Sequence, residues 1–297
     1  MRLAAVDIGS NTVHALVADV VRGKLEDVAH YVEMPELGAR VARTGEIGAG
    51  ARAAIRALRL VVAKARRHNF DVLIGGATQA VRGARDGAEF ARVAGEAIGT
   101  QVHVISPHRE AELSFLGVAS RHSMRREWAM IDLGGGSTEV AIGRGKEMVR
   151  SATLLIGSGV LASAYLSDPP KRDERARMRK AALRELTHAP DGEVERLVAT
   201  GGTASNLPLV LTRRNPPAVL TTADLLTCEA RLDRRRASEV AGAIGLPTNR
   251  VKAMRAGIEV LLLFLDWYGL AVLQISREGL RHGMILAYLE LGNDWWR

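Results

Sequence analysis

Two stretches of the sequence decide the fold: Val6-Asp7-Ile8-Gly9-Ser10-Asn11-Thr12 and Ile131-Asp132-Leu133-Gly134-Gly135-Gly136-Ser137-Thr138-Glu139. Each stretch follows a short apolar run and precedes another, which predicts a β-hairpin with a glycine-rich turn at its tip. Because glycine has no Cβ, the N–H groups of such a turn can approach and surround a phosphate. The two aspartates stand 125 residues apart (132 − 7), so the pattern indicates an internal duplication with one anion-binding turn in each half.

The order of the predicted elements repeats as well. Apolar and alternating runs predict strands over 3–8, 13–21, 24–33, 72–75 and 101–105, with helices over 48–68, 86–98 and 109–121. Asp86 is the candidate N-cap of the second of these helices. The order starts again with strands over 128–133, 138–143, 146–154, 194–199 and 271–275, a long helix over 248–268 and a last helix from 278. The order βββαβαβα appearing twice predicts an α/β protein with a duplicated ribonuclease-H-like fold, built like actin, Hsp70 and sugar kinases.

This fold class predicts two lobes around a central cleft. No low-complexity linker separates the halves, and we place the seam at His122–Glu127, with lobe I over 1–121 and lobe II over 122–282. Matching turns in the two lobes favour one phosphorylated ligand held between them. Pro169-Pro170 and Asn215-Pro216-Pro217 predict rigid turns within lobe II.

The composition indicates a polyanionic partner. The 297 residues include 41 Lys and Arg against 33 Asp and Glu, which gives a formal net charge of +8. Such a charge attracts polyphosphate, nucleic acid or an acidic membrane surface. Aromatic residues make up only 4% of the chain, and no recognition-helix or zinc signature is present, so specific nucleic-acid binding is disfavoured.

The remaining bulk features favour a cytoplasmic protein. Cys228 is the single cysteine and has apolar neighbours, which predicts a buried, inert thiol in a reducing compartment. The N-terminus lacks a signal-peptide profile. The longest apolar stretch, 258–265, contains Glu259 and is too short to cross a bilayer, so no membrane partner is expected. This stretch can serve either a core or a homodimer interface.

Hydrolysis of a phosphoryl group needs backbone N–H groups, carboxylates for a divalent metal, a carboxylate for the attacking water, and nearby cations. Asp7 and Asp132 end buried strands, where each can hold Mg²⁺ or cap its own turn. A third glycine turn, over 200–206, follows a predicted strand and opens a helix, which is a ready anion site. The phosphate-binding candidates in the turns and in a fourth loop, over 276–283, are Gly9, Ser10, Asn11, Thr12, Gly134, Gly135, Gly136, Ser137, Thr138, Gly201, Gly202, Thr203 and Arg281.

Four more residues are candidates. Thr78 and Arg82 follow the strand over 72–75, and Arg82 can clamp phosphate oxygens with two hydrogen bonds. Glu110 opens a helix, where an acid commonly only complements the helix dipole. Glu139 lies at the mouth of the second turn and, from the residues alone, is the better candidate for binding metal or water.

Taken in order, these motifs resemble the Ppx/GppA phosphatases, which are exopolyphosphatases and guanosine pentaphosphate phosphatases. The matching segments are Asp7–Thr12, Ala77–Arg82, Glu110-Ala111, Asp132–Glu139, Gly201–Asn206 and Ser276–Gly283. The resemblance covers nearly the whole chain and ends where longer members add a C-terminal HD-type domain, so a short form without that domain is expected. It also implies that the last helix, 283–297, packs back on lobe I.

The resemblance implies a hydrolase acting on phosphoanhydride bonds. Its substrates would be inorganic polyphosphate, releasing orthophosphate, or guanosine pentaphosphate, with Mg²⁺ or Mn²⁺ as cofactor. Glu110 would orient or deprotonate the water, and Glu139 would be the second catalytic carboxylate, near the metal that Asp132 helps to hold. Arg82 and the turns would bind phosphate, and such two-lobed phosphatases often form dimers.

Three departures from the family pattern keep two alternatives open. Pro107-His108-Arg109 precede Glu110 where acids are usual, Val160 replaces an arginine, and His282 replaces a glutamate after Arg281. These changes motivate a non-catalytic sensor that binds polyphosphate or guanosine alarmones. An ATP-dependent small-molecule kinase of the same fold is the other alternative, although no adenine or acceptor site is indicated.

A strongly basic helix is predicted over 171–184. Its mixed charges indicate either a solvated face or a track for the distal part of a polyphosphate chain. Arg213-Arg214 and Arg234-Arg235-Arg236 carry the same two interpretations.

Overall fold

A computed structural model describes residues 1–122, 124–211 and 218–297. The chain divides into two compact units, which we name unit 1 (Met1–His122 with Glu278–Arg297) and unit 2 (Ser123–Arg277). The predicted turn Asn215-Pro216-Pro217 and the pair Arg213-Arg214 lie outside the described residues.

Unit 1 is built on a five-stranded mixed sheet. Its first elements are β1 (Arg2–Ile8), β2 (Val13–Val21), β3 (Lys24–Glu33), α1 (Leu37–Thr44), α2 (Ala51–Arg66), β4 (Val72–Ala77), α3 (Gln79–Arg82), α4 (Gly87–Ile98), β5 (Val102–Val104) and α5 (Pro107–Ala119). The strand order is β3-β2-β1-β4-β5. The first three strands are antiparallel, and β4 and β5 continue parallel to β1 because helices connect them.

Unit 2 repeats this plan with one strand added. It contains β6 (Glu127–Leu133), β7 (Thr138–Arg144), β8 (Glu147–Leu154), α6 (Ser158–Tyr165), α7 (Arg172–Leu186), β9 (Leu197–Thr200), α8 (Gly201–Leu211), β10 (Val219–Thr221), α9 (Thr222–Asp233), α10 (Ala237–Ile244), α11 (Thr248–Trp267) and β11 (Val272–Ile275). Its strand order is β10-β11-β9-β6-β7-β8, so β8-β7-β6-β9-β11 matches unit 1 strand for strand. The extra strand β10 pairs antiparallel at the edge.

The duplication extends to irregular details of the backbone. The register of β2 against β3 shifts between Val17 and Ala18, and that of β7 against β8 shifts between Ile142 and Gly143, again 125 residues later (142 − 17). A β-bulge is a specific local device, so its recurrence at the matching position is strong evidence for internal duplication. The predicted duplicated ribonuclease-H-like fold is confirmed.

Helix α12 (Leu280–Leu291) completes unit 1 after the chain leaves unit 2. Its first turn lies in backbone contact with α5: a Cβ on Gly117 would stand 2.1 Å from the carbonyl oxygen of Gly279, and one on Gly283 would stand 1.8 Å from that of Leu113. Only glycine permits such an approach. Met284 and Ile285 then join Leu113 in a core on one face of the sheet.

Two local details differ from the sequence expectation. Helix α1 was not predicted, because it is short, carries Gly38 in its first turn and has no capping side chain. Asp86 does not cap α4; its carboxylate accepts hydrogen bonds from the N–H groups of Ile47 and Gly48, both at 2.8 Å, and so ties α4 to a distant turn.

The basic helix is α7, and two of its arginines, Arg175 and Arg179, are paired with acids of other helices inside unit 2. Arg175 contacts Asp233 at 2.6 Å and Glu229 at 3.2 Å. Arg179 contacts Glu259 at 2.6 Å and Asp266 at 3.0 Å. Because these cations are balanced by α9 and α11, their contacts support an ion-paired structural role rather than a free cationic track.

Cys228 and the apolar stretch 258–265 both lie in the core of unit 2. Cys228 is fully buried, as expected for an inert thiol. The stretch 258–265 lies in α11 and belongs to the core of unit 2. Among the described residues, no helix combines the length and apolar character needed to cross a bilayer.

Candidate functional site

The first glycine-rich turn is held from behind by the start of α1. Gly9 donates its N–H to the carbonyl oxygen of Thr12 at 2.9 Å, which closes the turn. The carbonyl of Ser10 accepts the N–H of Gly38 at 2.7 Å, and that of Asn11 accepts the N–H of Glu36 at 3.2 Å. The carbonyl oxygens of Ser10, Asn11 and Thr12 therefore all accept hydrogen bonds from backbone N–H groups of the protein.

The second turn is held in the same way by the start of α6. Gly134 donates its N–H to the carbonyl of Ser137 at 3.1 Å. The carbonyl of Gly134 accepts the N–H of Ser158 at 2.9 Å and also its hydroxyl at 3.0 Å. The carbonyl of Gly135 accepts the N–H groups of Gly159 and Val160, both at 3.0 Å.

This arrangement leaves the N–H groups of both turns available. Within the described parts of the chain, no backbone carbonyl accepts the N–H of Ser10 or Asn11 in unit 1, or of Gly135, Gly136 or Ser137 in unit 2. Successive N–H groups without carbonyl partners form the concave donor array that binds anions. Each unit therefore carries a preformed candidate phosphate site at its predicted turn.

Two glycines outside the turns make this support possible. A Cβ on Gly38 would lie 2.7 Å from the Cβ of Ser10, and one on Gly157 would lie 2.3 Å from the carbonyl carbon of Gly136. Real Cβ atoms do not approach this closely, so any larger residue would push the turn away from its helix. Their packing role did not follow from the sequence, since neither glycine has a positive φ or stands within a turn motif.

In unit 1, Glu110 is paired with Arg82. Ser106 caps α5 by accepting the N–H of Arg109 at 3.2 Å, and Pro107 is the first residue of the helix, so the buried Glu110 lies in its first turn. Arg82 donates to the Oε2 atom of Glu110 at 2.9 Å and to the carbonyl of Ile105 at 2.6 Å. Only 5% of Glu110 is exposed, so this guanidinium fixes one of its carboxylate oxygens.

Asp7 and Asp132 occupy matching positions, but their neighbours differ. Across the hairpin, Asp7 stands opposite His14, whereas Asp132 stands opposite Glu139. In addition, the guanidinium of Arg281 lies 3.7 Å from the carboxylate of Asp7. Side chains opposite each other in an antiparallel pair are close neighbours on one face. Unit 2 thus presents two adjacent carboxylates, and unit 1 presents one carboxylate beside an arginine.

Glu139 is almost completely buried, with 2% exposed, and its Oε1 atom accepts the hydroxyl of Ser137 at 2.7 Å. The adjacent Thr138 uses its hydroxyl to bond the carbonyl of Ile156 at 3.1 Å. Ser137 therefore links the second turn to the acid, while the side chain of Thr138 supports the strand behind it. In unit 1, Thr78 is buried with its hydroxyl beside Gly9.

The third predicted glycine turn forms the start of α8, which lies against the second turn within unit 2. Gly201 has φ +93°, and a Cβ there would lie 2.4 Å from the carbonyl of Leu133 and 3.2 Å from the Oδ1 atom of Asp132. Thr203 is buried, and a Cβ on Gly257 of α11 would lie 2.3 Å from its hydroxyl. Gly201 and Gly202 thus share one neighbourhood with Asp132, while Thr203 packs beneath α11.

Arg250 is a candidate that sequence reasoning missed. Its guanidinium lies against the start of α8, since a Cβ on Gly202 would stand 2.0 Å from the Nη1 atom. Burial lowers the pKa of Arg250, and among the described residues no carboxylate stands within ion-pair distance of it. A partly buried cation without a carboxylate partner is an environment suited to binding an anion. No local motif marks this residue, because Arg250 stands 47 positions after Thr203 along the chain (250 − 203).

The fold and these turns define a class of protein: a duplicated ribonuclease-H-like α/β protein with a candidate phosphate site in each half. The model of the Ppx/GppA phosphatase family matches residues 16–291. Two solved structures of the Aquifex aeolicus Ppx/GppA protein are each 27% identical to this chain. The first has a TM-score of 0.81 and covers 99% of each chain, and the second has a TM-score of 0.79 and covers 97% of this chain and 99% of that one. An exopolyphosphatase from Cytophaga hutchinsonii is 22% identical over 98% of each chain, with a TM-score of 0.86, which shows a shared fold.

The chain belongs to the Ppx/GppA phosphatase family. The resemblance inferred from the motifs is confirmed, and so is the predicted enzyme class, a phosphohydrolase. The roles of the individual site residues stay predictions, and they enter the proposal that follows.

Proposed function

We propose that this protein hydrolyses the terminal phosphoanhydride bond of inorganic polyphosphate and also acts on guanosine pentaphosphate. The observation that carries the proposal is the pair of turns whose carbonyls are held by α1 and α6, so that their N–H groups can bind phosphate oxygens. The net charge of +8 favours the polymer, because a polyanion gains more from a basic protein than a single nucleotide does.

Glu110 is the proposed general base. Water attacks the terminal phosphorus, Glu110 accepts a proton from that water, and the bond to the bridging oxygen breaks. The products are orthophosphate and a chain shortened by one phosphate. Arg82 orients Glu110 through the Oε2 contact, and Glu139 is proposed as the second catalytic carboxylate.

Asp132 and Glu139 are the proposed ligands of Mg²⁺ or Mn²⁺. They are opposite each other across β6 and β7, and carboxylate oxygens suit these metals. No group of three or more His, Cys, Asp or Glu side chains suited to a metal occurs among the described residues, so water and substrate oxygens would complete the coordination. The metal would neutralise charge on the phosphates. Asp7 fits this role less well, because Arg281 already stands beside it.

Glu110, the proposed base, is buried in the first turn of α5 although neighbouring residues depart from the family pattern. Pro107 begins α5, and Arg109 bonds the carbonyl of Trp295 at 2.6 Å, so both act in local structure. Val160 carries no charge at the position where the family usually has arginine, but the guanidinium of Arg250 supplies a cation beside Gly202 in the same unit. These observations support catalysis over a sensor role.

Replacing Arg250 with glutamine is expected to weaken substrate binding. We expect KM for polyphosphate to rise about tenfold, with a smaller change in kcat, since a charge-assisted contact to phosphate is lost. Steady-state phosphate release measures both constants. Arg184→Gln is the matched control, because it removes the same charge from an exposed position of α7. An equal rise in KM for the control would mean that only net charge matters.

The function itself is tested by phosphate release from short and long polyphosphate, guanosine pentaphosphate and ATP, with Mg²⁺ or Mn²⁺ varied. We expect release from polyphosphate that stops with a chelator and returns with added metal. Tight binding without any release would support the sensor, and phosphoryl transfer from ATP to an acceptor would support the kinase. Either result would overturn the proposal.

A further inference from the structure

Unit 1 contains a hydrogen-bonded cluster of Asp27, His30 and His282. The two oxygens of Asp27 are shared between two imidazoles: Oδ1 lies 3.0 Å from Nε2 of His282, and Oδ2 lies 2.8 Å from Nε2 of His30. Burial alone would raise the pKa of Asp27, but the hydrogen bonds from His282 and His30 outweigh it and hold the pKa well below its ordinary value. Asp27 is therefore an ionised acceptor at neutral pH.

The bulge in β3 makes this cluster possible. Ala18 pairs with Asp27 and Val17 pairs with Ala29, so Val28 is the extra residue. Residues three apart on a regular strand point to opposite faces, but the extra residue brings Asp27 and His30 onto the same face. The matching bulge of unit 2 carries Met148 and Ser151 at the equivalent pairings, so the fold alone does not require the cluster.

His282 connects this cluster to the candidate site. It lies in the first turn of α12, is 2% exposed, and follows Arg281, whose guanidinium stands 3.7 Å from Asp7. Its Nδ1 atom is buried without a hydrogen-bond partner among the described residues. The hydrogen bond with Asp27 therefore fixes the orientation of this ring. Gly283 allows the same turn to pack closely against α5.

We propose that His282 is a positioning residue: held by Asp27, it fixes the first turn of α12 and thereby places the guanidinium of Arg281 beside Asp7 for phosphate binding. The inference rests on the proposed function for its substrate class. It explains how a histidine serves at a position where the family usually has glutamate.

The experiment compares His282→Leu with His282→Gln. His282→Leu keeps the volume but loses the donor, so we expect KM for polyphosphate and the dissociation constant for tripolyphosphate to rise about tenfold, with kcat within about twofold. His282→Gln retains an N–H donor and should recover most of the affinity. If His282→Leu does not fold, Asp27→Asn, which weakens the same contact, is expected to raise the dissociation constant in the same direction.

His30→Leu is the control, because it removes the other imidazole from the same carboxylate and keeps the hydrogen bond between Asp27 and His282, whose ring lies 6.2 Å from that of His30. It should leave the dissociation constant unchanged. Calorimetry of tripolyphosphate binding distinguishes failure of this inference from failure of the proposed function. If the wild type binds tripolyphosphate but releases no phosphate, the proposed function fails. The ratio of the dissociation constants of variant and wild type still tests the role of His282. Unchanged affinity in His282→Leu, or equal losses in His282→Leu and His30→Leu, would overturn the inference.

Discussion

Glu110→Gln is expected to lower kcat for phosphate release by about 10²–10⁴-fold while leaving the affinity for tripolyphosphate nearly unchanged. Glutamine keeps the shape of the side chain and can still accept the hydrogen bond from Arg82, but it cannot take a proton from water. The loss should therefore fall on the chemical step rather than on binding.

Single-turnover phosphate release and calorimetry measure these two effects separately. Glu112→Gln is the matched control, since Glu112 lies on the same helix and pairs with Arg109 at 3.1 Å. It should keep most of the activity. A Glu110→Gln variant that releases phosphate at the rate of the wild type would remove Glu110 from the mechanism.

Combining Glu110→Gln with Glu139→Gln extends this test. If both acids serve one chemical step, the double variant should be little slower than the slower single variant, because residues that act as a unit are not additive. Additive losses would indicate that the two acids act in separate steps.

Gly157→Ala is the second change expected to have a large effect. The new Cβ would lie 2.3 Å from the carbonyl carbon of Gly136, so the second turn must move away from α6. We expect kcat/KM to fall by about 10²-fold, because misplacing a positioning group by about 1 Å can cost this much. The free energy of unfolding should fall by only about 1–3 kcal/mol.

Activity and thermal unfolding together check this expectation. Gly242→Ala is the control, because Gly242 lies in α10 and a Cβ there would meet nothing within 4 Å. That variant should be fully active and as stable as the wild type or slightly more so. Gly38→Ala tests the corresponding support in unit 1. Normal activity in Gly157→Ala would show that the position of this turn is not critical.

The ion pairs of the basic helix α7 could not be predicted from the sequence. A run such as Lys171–Lys180 has the same composition whether its arginines face solvent, a polyanion or buried acids. The acids that pair with Arg175 and Arg179 lie on α9 and α11, more than fifty residues further along the chain, at Glu229, Asp233 and Glu259. No local periodicity encodes that pairing.

The sequence by itself determined the strands other than β10, the two turns and the duplication. These features depend on residues within a few positions of each other: alternating apolar runs form the hairpins, and glycines after Asp7 and Asp132 form the turns. Equal spacing along the chain then revealed the repeat, and the family motifs lie on these same local elements.

Only the tertiary structure decided how the candidate sites are supported. Gly38 and Gly157 are important because another backbone segment packs directly against each of them. The guanidinium of Arg250 contacts the start of α8, and α5 places Glu110 within hydrogen-bond distance of Arg82. Each of these contacts joins residues that are distant in sequence, and its energy depends on burial and close packing that no single segment possesses alone.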